Sequence, residues 1–207
     1  MARPKEFDEH EVIAKALELF QRQGYDATSV RDLQEQTGLS SSSLYAAFGG
    51  KEQLFLRALE AHAAVERQTF LEQLRAPGGL RRNVKAVFDQ LIELLLEPEN
   101  NSSLTLRAAV ELTTSMPSVF GFLSAYIQEL TDMFAELLQE AERRGELKLR
   151  FAAPDLAQYL LFNAYSLGVV ARVGRSKEQL QRYAQIALAV LDDPAPLNRS
   201  GDTGVTP

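Results

Sequence analysis

The segment GYDATSVRDLQEQTGLSSSSLYAAFGGKEQLF, residues 24–55, constrains the fold more than any other part of this chain, because its punctuation admits only short helices joined by tight turns. Thr28 and Ser29 are good N-cap residues, and Val30, Leu33 and the aliphatic part of Thr37 follow at three- to four-residue spacing, the single buried stripe of a short helix. Gly38 closes that helix, since glycine accepts the left-handed conformation without a Cβ penalty. Leu39 can then enter the core, and Ser40 can cap a second helix anchored by Leu44 and Phe48. The outward positions of this second helix are Ser41, Ser42, Ser43, Tyr45, Ala46 and Ala47. None has a long flexible stem and none is acidic, so the helix can lie close against another surface. The pattern predicts a helix-turn-helix, in which the second helix enters the DNA major groove and offers its N-terminal residues to base edges.

These residues resemble the TetR (tetracycline-repressor-like) family of transcriptional regulators. Ala16-Leu17-Glu18-Leu19-Phe20, Gly24-Tyr25 and Ala27-Thr28-Ser29-Val30 are similar to its first helix and turn. Asp32-Leu33 and Gly38-Leu39-Ser40 are similar to its second helix and turn. Ser43-Leu44-Tyr45, Phe48-Gly49, Lys51 and Leu54-Phe55 are similar to its recognition helix and the start of its fourth helix. The match covers roughly residues 8–60, and the remainder agrees in helical layout alone. The resemblance implies an all-α fold: an N-terminal three-helix helix-turn-helix DNA-binding domain (1–50), a C-terminal helical ligand-binding and dimerisation domain (51–192) and a disordered tail (193–207). It also implies a ligand-responsive regulator, in the main a repressor, that binds a palindromic operator in double-stranded DNA as a homodimer and is released by a small-molecule effector, with no cofactor.

Composition is compatible with this and decides little alone. The net charge is −6, from 22 Lys and Arg against 28 Asp and Glu. The first 60 residues hold seven basic residues (Arg3, Lys5, Lys15, Arg22, Arg31, Lys51, Arg57) against ten acids, whereas a DNA binder is expected to carry a basic footprint. The motif outweighs the sum, because phosphate contact depends on which face carries charge, and hydroxyls and helix N-termini hold phosphates without adding formal charge. The chain has no cysteine, which removes disulfides, thiolate nucleophiles and zinc–thiolate sites. The start MARPKEFDEHEV lacks an apolar signal region, and no run of about 18 apolar residues occurs, so a cytoplasmic protein is expected rather than a membrane or secreted one.

Periodicity predicts helices throughout. A short arm, 1–7, precedes a helix from Asp8, paired with Glu11, to about Gln23, and a fourth helix runs from Gly50 or Lys51 to Leu74, carrying Leu54, Phe55, Ala58, Leu59, His62 and Val65 inward. Ala76-Pro77-Gly78-Gly79 stops it. Further helices are expected over 80–97, 103–115, 117–145 (with Pro117 in the first turn), 154–172 and 176–191. The tail has no apolar periodicity, and its Asn198-Arg199-Ser200 sequon has no meaning without a secretory route.

Groove chemistry and the resemblance together select the candidate DNA-binding residues. Arg31 matches a position that touches DNA in related repressors, and its guanidinium fork suits guanine O6 and N7. Ser41, Ser42 and Ser43 occupy the first turn of the recognition helix, and Ala46 can touch a thymine methyl. Tyr45 corresponds to a tyrosine that reaches a backbone phosphate in related proteins. Lys51, at the start of the fourth helix, can share a phosphate with that helix's N–H groups. Thr28, Ser40, Arg3 and Lys5 complete the phosphate candidates. Ala46-Ala47 departs from the family pattern, where many relatives carry larger aromatic or histidine side chains.

In the helix opened by Pro154, Ala157, Leu161, Ala164, Gly168 and Ala171 form a small-residue seam, while Leu156, Tyr159, Leu160, Leu167 and Val170 make other faces apolar. A helix apolar nearly all round needs covers on more than one side, so its own domain is expected over one and a second subunit over the other, with Leu180, Tyr183, Ala187, Leu188 and Leu191 of the last helix joining a four-helix interface. Dimerisation would set two recognition helices roughly 34–36 Å apart. For the effector, the candidate pocket residues are Phe88, Leu91, Leu106, Val110, Phe120, Tyr126, Phe162 and Tyr165, with Glu111, Thr113, Asn163 and Ser166 as orienting groups. No catalytic constellation is legible: His10 and His62 lie on different helices, and no phosphate loop, HExxH spacing or nucleophile elbow occurs. The rival reading is a helical ligand-carrier or protein-interaction module that keeps the helix-turn-helix as scaffold.

Overall fold

The structure, a computed structural model, describes residues 7–97, 103–112 and 114–192. Over those residues it holds nine α-helices and no strand: α1 (Glu9–Ala27), α2 (Val30–Thr37), α3 (Ser41–Phe48), α4 (Lys51–Leu74), α5 (Leu80–Leu96), α6 (Leu104–Glu111), α7 (Pro117–Arg143), α8 (Ala153–Arg172) and α9 (Lys177–Leu188), which ends in a 3-10 turn, Ala189–Leu191. The arm residues Arg3 and Lys5, the sequon and the tail expected to be disordered lie outside the described residues, as does Thr113.

The N-terminal helices form because each end is chemically closed. The Asp8 carboxylate accepts from the His10 N–H at 2.8 Å to start α1, and Gly24 (φ 82°, ψ 172°) breaks the helical path just past Gln23. Ser29 and Asp32 form a reciprocal capping box on α2, and Gly38 (φ 77°) ends it with its N–H on Gln34 O at 2.9 Å. Phe20, Leu33, Leu44, Leu54, Phe55 and Leu59 are almost wholly buried between α1, α2, α3 and the first half of α4. Each such side chain contributes about 1.5–3 kcal/mol relative to an exposed one. Phe20 and Phe55 meet edge to face at 5.0 Å, as do Tyr25 and Phe55.

From its midpoint α4 leaves this cluster and packs on α5, α6 and α7. Its last carbonyls would be orphaned at the breaker cluster, but the buried Asn83 of α5 donates from Nδ2 to Leu74 O (3.0 Å) and Ala76 O (2.5 Å). α7 and α8 form the closest helix pair, with Leu123, Leu130, Phe134 and Leu138 set against Leu156, Leu160, Leu161 and Leu167 in one core.

Two expectations change. α6 ends at Glu111 rather than near Ser115, because Met116 must be extended (φ −128°, ψ 95°) before Pro117, and the chain turns at Leu112 to reach it. The small-residue seam of α8 faces inward. Ala157 and Gly168 are buried, and a Cβ on Gly168 would fall 2.0 Å from Leu106 Cδ2 of α6. Leu180, Ala187 and Leu191 are likewise core residues. The apolar face left uncovered is Tyr159, Phe162, Val169 and Val173 of α8 with Tyr183 and Ile186 of α9, which keeps Tyr159 and Tyr183 of the expected residues.

Candidate nucleic-acid interface and internal cavity

α3 presents Ser42, Tyr45, Ala46 and Ala47 to solvent, with Ser41 and Ser43 half-exposed, while Leu44 and Phe48 hold its other side in the core. The outward face therefore carries short, uncharged side chains, as the spacing predicts. Ser40 caps the helix, its Oγ accepting from the Ser43 N–H at 3.1 Å and lying 3.0 Å from Ser42 Oγ and 2.8 Å from Ser43 Oγ. The serine run is a preorganised hydroxyl cluster at a helix start. Tyr45 is 53% exposed, and its ring lies against Gly50, where a Cβ would come within 3.0 Å of Cε1. Gly50 has φ 127°, so both backbone and space require glycine there.

Arg31 projects from α2 with 84% of its side chain exposed, held by an i,i+4 pair from Nε to Glu35 Oε1 at 2.9 Å. An exposed pair of this kind is worth only about 0.3–0.5 kcal/mol, so a groove partner can replace it. Lys51 stands at the start of α4 with its ammonium 4.1 Å from the centre of the Tyr25 ring. Partial burial pulls its pKa down, against the charges of Asp26 and Asp32, which push it up.

Thr28 is the exception among the phosphate candidates. It is fully buried, its hydroxyl donates to Gly24 O at 2.6 Å and its N–H donates to Tyr25 O at 3.2 Å. Both donors are spent on locking the turn after α1, so this side chain supports the head from within instead of meeting a phosphate.

A second feature lies between α4, α5, α6, α7 and α8: a cavity of about 300 Å³. Four of the eight predicted pocket residues line it, namely Leu91, Leu106, Tyr126 and Tyr165. Phe88 is buried but does not line it, and Val110, Phe120 and Phe162 are half or more exposed on the outside. The predicted orienting groups belong elsewhere. Glu111 pairs with Arg107 and Arg172, and Asn163 and Ser166 bond the Tyr183 hydroxyl at 2.9 and 2.8 Å.

Among the described residues that line the cavity, beside the neutral Thr69, Gln73, Gln90, Ser103 and Thr105, the charged one is Glu66. Thr105 Oγ1 donates to its Oε2 at 2.7 Å, and His62 Nε2 lies 3.1 Å from its Oε1. Burial opposes its ionisation, but the bonds and charge of His62, with Ser103 and Thr105, outweigh burial and lower its pKa. His62 also touches Gln21 of α1, at 3.4 Å from Nδ1, and receives the Leu104 N–H at 3.3 Å. Arg107 of α6 donates to Gln21 O at 3.1 Å. The cavity wall and the end of α1 thus share α6 and His62. The signal for Glu66 was present in the sequence: four residues after His62, it falls on the buried stripe of α4.

Among the described residues no helix is long and apolar enough to cross a membrane, and no group of His, Cys, Asp and Glu is arranged to hold a metal.

A helix-turn-helix with an uncovered second helix, set on a helical body with a cavity, defines a DNA-binding regulator. Residues 12–58 match the family model for bacterial regulatory proteins of the tetR family. Over 194 residues, 93% of this chain and 100% of the relative, the chain is 31% identical to an HTH-type transcriptional regulator of Bacillus subtilis, YezE. It is 28% identical over 193 residues, 90% of each chain, to the HTH-type transcriptional repressor ComR of Escherichia coli. Among solved structures, the TetR-family regulator CifR in complex with a 26-base-pair double-strand operator superposes with a TM-score of 0.77 at 26% identity, covering 92% of this chain and 100% of that one. The chain belongs to the TetR family of transcriptional regulators.

Proposed function

We propose that this chain is a repressor that holds a palindromic operator as a homodimer and releases it when a small molecule enters the α4–α8 cavity. The observation that carries the DNA half is the α3 surface, with Ser41, Ser42, Ser43, Tyr45 and Ala46 outward above a closed core. In this reading residues 1–50 are the reading head, 51–192 the effector and dimerisation body, and the protein works in the cytoplasm as a regulator and not an enzyme. Arg31 reads a base; Ser41, Ser42, Ser43 and Ala46 lie in the groove; Tyr45, Lys51 and Ser40 position phosphates. Thr28 is left out, its donors being internal.

Support for the dimer is the exposed stripe Tyr159, Phe162, Val169 and Val173 at steps of three, seven and four, flanked by Ile186, which is 74% exposed. A second copy related by a two-fold axis would cover it and set two α3 helices about one helical turn apart. Support for effector control is that α6 touches both cavity and α1.

The test is fluorescence anisotropy on duplex from the upstream region of its own gene and on a shuffled duplex, at about 150 mM salt. A preference of about a thousandfold is the expected result for a site-specific regulator. Equal weak binding to both, persisting through selection from random DNA, would overturn it.

A further inference from the structure

We infer that the cavity between α4 and α8 takes an amphipathic organic cation, a ligand with a flat apolar body and an ammonium or amidinium group that binds Glu66; this rests on the effector reading of the same cavity. Among the described residues lining the cavity, Glu66 is the one charged side chain, and neither lysine nor arginine is present to meet an anion. Its neighbours at bonding distance are the neutral Thr105 hydroxyl and the His62 imidazole. The rest of the lining is uncharged: Phe70, Leu91, Leu130, Leu161, Tyr126 and Tyr165 make it largely apolar and aromatic, and Thr69, Gln73, Gln90, Ser103 and Thr105 add neutral polar groups.

Charge complementarity then selects the ligand. A carboxylate or phosphate ligand would bring a second negative charge beside Glu66, where the lining offers no lysine or arginine and the one basic neighbour, His62, is already engaged by the carboxylate, and this is costly where water is excluded. A cation meets an ionised carboxylate directly, and the aromatic lining of Phe70, Tyr126 and Tyr165 suits the flat body it carries. The field of Glu66 is felt at both phenols: burial pushes the Tyr126 and Tyr165 hydroxyls up, and the Glu66 charge pushes them further, so both stay protonated. The rim carries Val65, 66% exposed, and Leu94, 42% exposed, an apolar entrance suited to a flat hydrocarbon body.

The experiment uses three probes with one body: 1-naphthylmethylamine, 1-naphthalenemethanol and 1-naphthaleneacetate. The chain has no tryptophan, so naphthyl fluorescence reports binding to the full-length protein with little background. At pH 7.5 the ammonium probe is expected to bind about tenfold or more tighter than the carboxylate, and tighter than the alcohol. Glu66→Gln, which keeps the shape of the side chain and removes its charge, is expected to close the gap between ammonium and alcohol. A carboxylate that binds as well as the ammonium, an ammonium that does not bind at about 1 mM, or a gap unaltered by Glu66→Gln overturns the cation class. Alcohol binding that Ala164→Trp abolishes, with no preference for the ammonium, retains the cavity as a ligand site and rejects the cation. An ammonium probe that is preferred yet leaves operator affinity unaltered retains the cation and rejects the effector reading.

Discussion

Gly168 has the closest neighbour of the described glycines, and replacing it tests the packing of α6 directly. A Cβ at Gly168 would lie 2.0 Å from Leu106 Cδ2, 3.3 Å from Cγ and 3.5 Å from Cδ1. Carbon atoms rest at about 3.5–4.0 Å, so the closest contact must open by about 1.5 Å. Overpacking of this kind costs about 1–3 kcal/mol, and a clash this short belongs at the upper end. Against it, Gly168 lies inside α8 with no positive φ, so alanine gains about 1 kcal/mol of helix propensity. Gly168→Ala is therefore expected to lose about 1–2 kcal/mol net. The sign must invert once the obstacle is gone. Leu106→Ala alone should cost about 2–5 kcal/mol as a core truncation, but Gly168→Ala added to it should recover up to about 1 kcal/mol. Urea unfolding followed by circular dichroism, with all four proteins at one concentration, measures the cycle. A Gly168→Ala protein as stable as the parent, or strict additivity of the two changes, would refute the contact.

The other predictions follow from the head and from the carboxylate. Thr28→Val removes the hydroxyl that satisfies Gly24 O without changing shape, and should cost about 1–3 kcal/mol, at about 2–4 °C of Tm per kcal/mol for a chain of this size. Thr28→Ser should restore most of it, whereas a Thr28→Val protein of normal Tm but poor DNA affinity would return Thr28 to the phosphate set. Arg31→Ala should cost about 1–3 kcal/mol on the operator and relax preference at one base pair, while Lys51→Ala should weaken all sequences alike and flatten the salt slope, both read by anisotropy across a salt series. Because the Glu66 pKa is lowered on folding from its ordinary 4.5, its stabilising contribution is present above that value and is lost as pH falls through the folded one. The Tm advantage of the parent over Glu66→Gln should thus shrink as pH drops below about 4.5, and an advantage constant from pH 6 to 3 would contradict the ionised state.

What the sequence disclosed depended on how local the determinant was. Caps and breakers act over four or five residues, so Ser29, Gly38, Ser40, the 76–79 cluster and Pro117 place the helix boundaries in advance. The α3 surface was equally legible, because Leu44 and Phe48 alone decide which side faces out. Thr28 shows where this fails. A threonine before a helix start reads as a cap or a phosphate ligand, and only the reversal of the chain at Gly24 brings a carbonyl onto its hydroxyl. The pocket fails for a different reason. Apolar residues on middle helices can line a void, fill a core or cover a partner, and periodicity assigns all three the same pattern. Leu91, Leu106, Tyr126 and Tyr165 went to the void, Phe88 to the core, and Val110, Phe120 and Phe162 to the surface. The seam on α8 is covered by the chain's own α6 at Gly168, and of the α9 residues expected to join a second subunit Leu180, Ala187 and Leu191 went to the core while Tyr183 stays exposed.

The route from cavity to head turns on one nitrogen with two claims on it. His62 Nε2 lies within bonding distance of both Glu66 Oε1 and the Leu104 N–H, and it cannot donate to the first while accepting from the second. A ligand that draws the Glu66 carboxylate towards itself releases Nε2 to serve as acceptor for the first N–H of α6; an empty cavity leaves the carboxylate to compete. α6 is also tied to α1 through Arg107, which reaches Gln21 O, three residues before the Gly24 break that orients α2 and α3, while its Nε pairs with Glu111 Oε1 at 3.7 Å. The coupling therefore needs no long relay. If the proposed ligand binds at Glu66, coupling needs only that its affinity differ with and without the Leu104–His62 bond, and Glu66, shared by ligand and His62, is where that difference would arise.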